Sequence, residues 1–302
     1  MGKNSKTNFS KEKKQILVLT GCTASGKSSL ALELAKEING VIINADSRQI
    51  YKEISIGTAK PIPDKVENDI WYIENIPHLL YSYISIKEDF NLYRYQQDVF
   101  NLLKKLPKEV TPILVGGTGL YIDSVVFNYK LKKHSEKKDQ SKREKLQKKD
   151  VDQLQKIVGT EKLSKLNISD QNNPHRLIQI IEKGSLPSIE KGEELKHKYF
   201  FLDVPKDILN RNIERRVEEM FENGLLEENI EIRKKGLDKY PALSTIGYQE
   251  FEKYFKKAGS LEEVKEDIII HTRQYAKRQR TWFRRNKNVI YVKNLNNILK
   301  NI

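Results

Sequence analysis

The sequence has almost no cysteine and no long apolar run. Cys22 is the single cysteine in 302 residues, which excludes an intrachain disulfide and any cysteine-held zinc cluster and fits a reducing compartment. No stretch approaches the ~20 apolar residues that a transmembrane helix needs, and no internal repeat is present. The opening residues are polar and basic, so neither a secretory signal nor a membrane anchor is expected, and Lys6 stands where myristoylation needs Ser or Thr. The expectation is a cytoplasmic protein without membrane attachment, whose residues 1–13 form a disordered basic tail. Acidic residues are also scarce: 41 Asp and Glu face 55 Lys and Arg, for a formal charge of +14. That balance favours a polyanionic partner, against the plainer reading of a well-solvated lysine-rich surface. The length suffices for one large domain plus a subdomain.

Residues 21–28 read G-C-T-A-S-G-K-S (Gly21, Cys22, Thr23, Ala24, Ser25, Gly26, Lys27, Ser28). They follow an apolar run, Ile16 to Leu19, and open a helical pattern of Leu30, Leu32, Leu34, Ala35 and Ile38. Strand, glycine-rich turn and helix in that order make a phosphate-binding loop. Glycines let backbone N–H groups point into one cavity, Lys27 supplies a point charge, Ser28 offers a Mg²⁺ ligand, and the helix N-terminus adds its positive dipole end. The expected ligand is a di- or triphosphate. Cys22, inside the loop, reads as a small packing residue.

Two further apolar strands aim at the same place. Val41 to Ile43 runs into N-A-D-S-R-Q-I-Y, then Ile56-Gly57-Thr58-Ala59-Lys60-Pro61, while Ile113 to Val115 ends in G-G-T-G-L-Y. In an open parallel sheet ligands bind beyond the carboxyl ends of the strands, so Asp46 and Thr118 are expected beside the phosphate loop. Strand and helix alternate to about Tyr129 and then pause. Residues 130–150 hold ten basic residues against four acidic ones. Helical signals follow, the clearest being Asn173 as N-cap, Pro174 at the first helical position and Gly184 past the end. Tyr199 to Leu202 and Val289 to Val292 read as returning strands.

A helix is expected over residues 206–222, with Leu209, Ile213, Val217, Met220 and Phe221 as its apolar stripe and Arg216 at the stripe's edge. A long Arg there is either a snorkelling side chain or a partly buried anion ligand. Near the C-terminus Arg273, Lys277, Arg280 and Arg284 make one basic stripe at helical spacing, with Tyr275, Trp282 and Phe283 interleaved. It reads either as a solvated face or, beside the basic segment at 130–150, as a nucleic-acid surface of cations and stacking platforms.

These stretches, in this order, resemble the bacterial tRNA dimethylallyltransferase (isopentenyltransferase) family: the phosphate loop with Thr23, D-S-R-Q-I-Y, I-G-T-A-K-P and V-G-G-T-G-L-Y. The resemblance continues through N-P-H-R-L at 173–177, G-L-L-E-E at 224–228, I-G-Y-Q-E at 246–250 and T-R-Q-Y-A-K-R-Q at 272–279. It covers all but the first dozen residues and the lysine-rich stretch. The fold it implies is α/β: a phosphate-loop NTPase-like parallel sheet core with helices on both faces (14–129 and 199–302) and a helical insertion for tRNA binding (130–198). The implied activity is transfer of a dimethylallyl group from dimethylallyl diphosphate to N6 of adenosine 37, in the anticodon stem-loop of tRNAs that read codons beginning with U. Mg²⁺ is the implied cofactor, and a monomer is expected.

By the same resemblance the catalytic residues are Asp46, Thr23, Lys27 and Arg216. Asp46 is the candidate base, its plainer reading being an Asx cap. The diphosphate lies on residues 21–28, with Ser28 at the metal. Asp46, Ser47, Arg48, Gln49, Thr118, Arg143, His175, Arg176, Leu177, Ile178 and Gln179 are expected to touch tRNA. Relatives carry a second Arg one turn before Arg216, where this chain has Asn212; either the flanking Arg211 or Arg215 takes over its charge or this chain has one diphosphate ligand fewer. Two other activities fit the phosphate loop: an adenylate isopentenyltransferase acting on free nucleotide, and a phosphate-loop kinase. The basic insertion argues against both.

Overall fold

Eight strands form one sheet: β1 (Ile16–Gly21), β2 (Gly40–Asn44), β3 (Lys65–Glu67), β4 (Ile70–Ile73), β5 (Ile76–Leu79), β6 (Thr111–Gly116), β7 (His197–Leu202) and β8 (Val289–Val292). Their spatial order is β3-β4-β5-β2-β6-β1-β7-β8. The computed structural model describes residues 14–131, 140–186 and 190–302. The expected disordered tail at 1–13 and the middle of the lysine-rich stretch, 132–139, lie outside the described residues.

All pairings from β5 across to β8 are parallel. Every residue of β1 and β2 is buried, which is why both read as unbroken apolar runs without alternation. The helix Lys27–Glu37 packs on β2 and β6, and Leu17, Leu19, Leu34, Ile42, Ile113 and Phe200 share one core cluster. Because β2, β6 and β1 are parallel neighbours, their carboxyl ends at Asn44, Gly116 and Gly21 open on one edge of the sheet.

Strands β3, β4 and β5 were not expected. They make an antiparallel meander whose two-residue turns are Asn68-Asp69 and Glu74-Asn75, all four with positive φ (51°, 63°, 49° and 65°). Such turns match the twist of a hairpin, so Asn-Asp before Ile70 is a usable signal. β3 is only three exposed residues, too short to show a period.

The chain divides into two compact units: Tyr129–Gly192, and the remainder, which resumes at Glu193. The helical unit thus ends before the 198 read from the sequence, with β7 already beginning at His197. Its helices include Gln140–Gln147, Val151–Val158 and Pro174–Lys183, packed around Leu146, Leu154, Val158, Leu177, Ile178 and Ile180. The last of these helices has the bounds its caps imply. Asn173 accepts the Arg176 N–H at 3.3 Å, and Gly184 turns left-handed at φ 66°.

In the larger unit the helices Lys206–Glu222, Leu225–Lys234, Phe251–Phe255 and Leu261–Phe283 bury Val217, Met220, Leu225, Phe251, Val264 and Ile268 in a second cluster. A capping box of Ser260 and Glu263 starts the longest of them. No described helix is long and apolar enough to cross a membrane.

Candidate active site

The phosphate loop leaves β1 at Gly21 and enters the Lys27–Glu37 helix through Gly26, whose φ of 86° favours glycine. Gly26 has no side chain with which to cap the first helical N–H groups, so they stay available to an anion. Ser25 is buried, and its Oγ has no hydrogen-bond partner among the described residues. An orphan hydroxyl in such a loop fits a ligand with acceptor oxygens. Lys27 folds back so that Nζ lies 3.4 Å from the Cys22 carbonyl. Burial and the neighbouring Arg216 charge push its ammonium pKa down to about 8. Cys22 is itself buried, with Sγ 3.4 Å from the Ala276 carbonyl, as a packing residue should be. Ser28 is exposed at the loop's end.

Arg216 is the second cation. Its Nη1 donates to Thr23 Oγ1 at 3.2 Å and its Nη2 to the Thr58 carbonyl at 3.3 Å, so the head group turns toward the phosphate loop and does not snorkel to solvent. Burial lowers its pKa, and the charge of Asp46 acts in the opposite sense. The missing arginine is not replaced by its neighbours. Arg211 pairs with Asp207 at 3.3 Å and Arg215 with Glu219 at 3.6 Å, both on the exposed side of the helix. Of the two readings the geometry goes against compensation, because positions one residue away lie ~100° around the helix. Asn212 instead reaches the loop itself, donating from Nδ2 to the Ala24 carbonyl at 3.1 Å.

Asp46 follows buried β2 and is half-buried. Its N–H donates to Asn44 Oδ1 at 2.9 Å and its own Oδ1 accepts the Arg48 N–H at 2.8 Å. The Asx turn is thus real, and it fixes the carboxylate instead of excluding it from chemistry. The same charge acts on Lys27, Arg216, Tyr121 and Tyr275. Thr118 accepts the Ser47 N–H at 3.0 Å and hydrogen bonds with Tyr275. Arg48 donates to the Ala242 carbonyl at 3.2 Å, and Gln49 to the carbonyls of Thr58 at 3.0 Å and Ala59 at 3.2 Å.

Gln279 was missed. It is buried on the Leu261–Phe283 helix, where Oε1 accepts the Thr23 N–H at 2.8 Å and Nε2 donates to the Gly117 carbonyl at 3.0 Å. The approach is so close that a Cβ on Gly117 would lie 2.1 Å from Nε2, and one on Gly119 would meet the Trp282 ring at 2.2 Å. Those two glycines in V-G-G-T-G are what lets this helix sit against the site. The sequence signal was its place at the end of the T-R-Q-Y-A-K-R-Q stretch, an uncharged amide among basic residues, which gives no role for it.

The basic stripe on this helix is only partly a free cationic row. Arg273 pairs with Glu214, and Arg280 donates to the Val204 carbonyl at 2.7 Å beside Asp203 at 3.3 Å. Lys277 and Arg284 are exposed. Among the aromatics, Phe283 is core and Trp282 donates from Nε1 to Asp123 at 2.8 Å, so neither is a free stacking platform.

In the helical unit, taken by itself, the expected tRNA contacts divide. His175 and Gln179 are exposed, and Arg176 lies 3.9 Å from Asp170. Arg143 is paired with Glu182 at 3.0 Å. Leu177 and Ile178 are corrected: both are buried in that unit's core, so their side chains do not meet a partner at the surface.

Among known proteins, the profile of the IPP transferase family matches residues 49–286, and that of isopentenyl transferase matches residues 14–80. A tRNA dimethylallyltransferase of Crocosphaera subtropica is 38% identical, covering 89% of this chain and 88% of the relative. One from Staphylococcus saprophyticus is 34% identical, over 93% and 92%. Among solved structures, the full-length tRNA isopentenylpyrophosphate transferase of Bacillus halodurans superposes with a TM-score of 0.68 at 29% identity, covering 93% of this chain and 90% of the other. A eukaryotic dimethylallyltransferase solved acting on tRNA gives 0.70 at 27% identity, over 89% and 69%.

Proposed function

This chain belongs to the IPP transferase family, and from that premise we propose that it moves a dimethylallyl group from dimethylallyl diphosphate to N6 of adenosine 37 in tRNAs that read codons beginning with U. The observation that carries this reading is the pair of half-buried cations, Lys27 and Arg216. Each has its pKa lowered by burial, and Arg216 also acts on Lys27 by repulsion. Two such charges beside an uncapped helix N-terminus are costly until an anion arrives. A diphosphate would satisfy both, together with the Ser25 hydroxyl and the loop N–H groups.

In the reaction the bond between the allylic carbon and the diphosphate oxygen breaks, and its electron pair leaves with the diphosphate. A bond forms from the N6 lone pair to that carbon, and a proton passes from N6 to Asp46. Lys27, Arg216 and Thr23 stabilise the charge gathering on the leaving group, in place before it develops. Asp46 is held by Arg48 N–H through one oxygen, and the carboxylate takes the N6 proton as general base. No cluster of three His, Cys, Asp or Glu side chains suited to a metal occurs among the described residues. Mg²⁺ would therefore be held by the Ser28 hydroxyl together with diphosphate oxygens and water, a donor set that suits a hard cation, and it would neutralise charge on the leaving group. Adenosine 37 is stacked in its loop, so it must be extruded to reach Asp46, at a cost of a few kcal/mol.

The test is one incubation with carbon-labelled dimethylallyl diphosphate, offering bulk tRNA or AMP. Label in tRNA, mapped to N6 of adenosine 37, is the expected result. Label in AMP alone would replace this reading with the free-nucleotide transferase, and phosphate transfer from ATP without prenylation would replace it with a kinase.

A further inference from the structure

The loop Ile56-Gly57-Thr58 belongs to no strand or helix, yet its Thr58 carbonyl is one of the two acceptors holding Arg216. Such a backbone needs something to fix its shape. Glu228, half-buried on the Leu225–Lys234 helix, spends its carboxylate on that task. It accepts three consecutive backbone N–H groups: Ser55 at 2.9 Å, Ile56 at 3.0 Å and Gly57 at 3.2 Å. Charge-assisted hydrogen bonds of this kind are among the stronger ones.

Tyr248 buttresses the arrangement. Its hydroxyl donates to Glu228 Oε1 at 2.5 Å and accepts the Gly57 N–H at 3.1 Å. Burial and the Glu228 charge hold the phenol pKa well above its usual value, so it stays a donor. Gly57 cannot carry a side chain here, since a Cβ would lie 2.6 Å from the Tyr248 ring. From the far side Gly247, at φ 92°, closes against Gly57, where a Cβ would meet the Gly57 carbonyl oxygen at 3.0 Å. Two separate segments, the Leu225–Lys234 helix and the Gly247-Tyr248 stretch, therefore converge on one turn of backbone whose Thr58 carbonyl holds Arg216.

We propose that Glu228, seconded by Tyr248, is a positioning residue for the diphosphate: it sets the Ile56-Gly57-Thr58 backbone that aims the Arg216 guanidinium at the phosphate loop. The proposal rests on the diphosphate site described above, and it acts through Arg216 without touching substrate.

The experiment is a double-mutant cycle read by calorimetric binding of inorganic diphosphate in the presence of Mg²⁺. Glu228→Gln keeps the shape but loses the charge and one acceptor, and should weaken diphosphate binding about tenfold. Tyr248→Phe, which removes one hydroxyl, should weaken it about threefold. KM for tRNA should stay unchanged in both. In an Arg216→Ala background, both substitutions should have no further effect on diphosphate affinity, because the group they position is gone. A purely structural Glu228 predicts instead a lowered melting temperature with affinity unchanged in the folded fraction, or the same fold-loss with and without Arg216; either result overturns the proposal. If Glu228→Gln does not fold, the Tyr248→Phe cycle gives the same decision. A wild-type protein that binds diphosphate yet prenylates no tRNA defeats the proposed function and leaves this cycle interpretable. One that binds no diphosphate defeats both.

Discussion

Two helices packed against each other bring arginines to the neighbourhood of the phosphate loop, and they use them differently. On Lys206–Glu222, Arg216 hydrogen-bonds a threonine hydroxyl and a backbone carbonyl, neutral partners, with the Asp46 charge acting on it only from a distance. On Leu261–Phe283, Arg273 and Arg280 meet Glu214 and Asp203. Spacing told which face each residue occupies on both helices. What it could not tell is the charge of the partner, and that decides whether a guanidinium is available to a ligand or fastens one element to another.

The substitution with the largest expected effect tests whether Arg216 differs in kind from Arg273. If Asp46 were merely its counter-ion, Asp46→Ala would cost stability and leave turnover near normal. With Asp46 as the base, turnover in a steady-state prenylation assay should fall ~10²–10⁴-fold, while the melting temperature changes little.

Next is the direct contrast. Arg216→Ala should weaken diphosphate binding about 10–100-fold, the worth of one or two charge-assisted bonds. Arg280→Ala should instead lower the melting temperature and leave that affinity unchanged. Equal effects on affinity would erase the distinction between the helices.

The third prediction uses pH. Lys27 has its pKa depressed to about 8 in the free protein, so its cation is present at pH 7 and is lost as pH rises through 8. Diphosphate binding should therefore weaken by up to about tenfold per pH unit above pH 8, and Lys27→Arg should flatten that limb of the curve. A flat profile for the native lysine would mean its charge is not used.

A smaller effect is expected from neutralising Lys277 and Arg284 together, the stripe's exposed members. Binding of tRNA should weaken a few-fold and the salt slope should drop by about 1.5, with diphosphate affinity unchanged. An unchanged slope would reduce the whole stripe to packing and solvation.

The smallest concerns Asn212. Its amide already serves the Ala24 carbonyl, so Asn212→Arg loses a loop contact and crowds Arg216 with like charge. Turnover should stay within about threefold of wild type or fall; a clear gain would show that the position is a vacated ligand site.

Legibility followed the range of the interactions. The phosphate loop, Asp46 and the Lys206–Glu222 helix were readable because each is a local pattern: a run, a cap, a 3.6-residue stripe. The parallel core was readable because β1, β2 and β6 are buried on both faces and so stand out as apolar runs. The meander β3–β5 was not, since its strands are three or four residues long and its register lies in positive-φ turns that a composition scan passes over. Gln279 was missed for a different reason. Its importance lies in two hydrogen bonds to distant segments, and nothing next to it in sequence reports them. Leu177 and Ile178 erred the other way: a motif that resembles a binding helix includes the residues that hold the helix in place.

The hydrogen bond from Thr23 N–H to Gln279 spans 256 residues of chain. During synthesis at ~5–20 residues per second, the loop emerges on the order of ten seconds or more before the amide that braces it. Once β6 has emerged, β1 can pair and the Lys27–Glu37 helix can pack, but until residue 279 is made the Thr23 N–H lacks its amide and Gly117 faces an open gap. Competence for catalysis thus arrives late and at once, when the Leu261–Phe283 helix docks, and a nascent chain stalled before that point would carry every residue of the phosphate loop without a finished site.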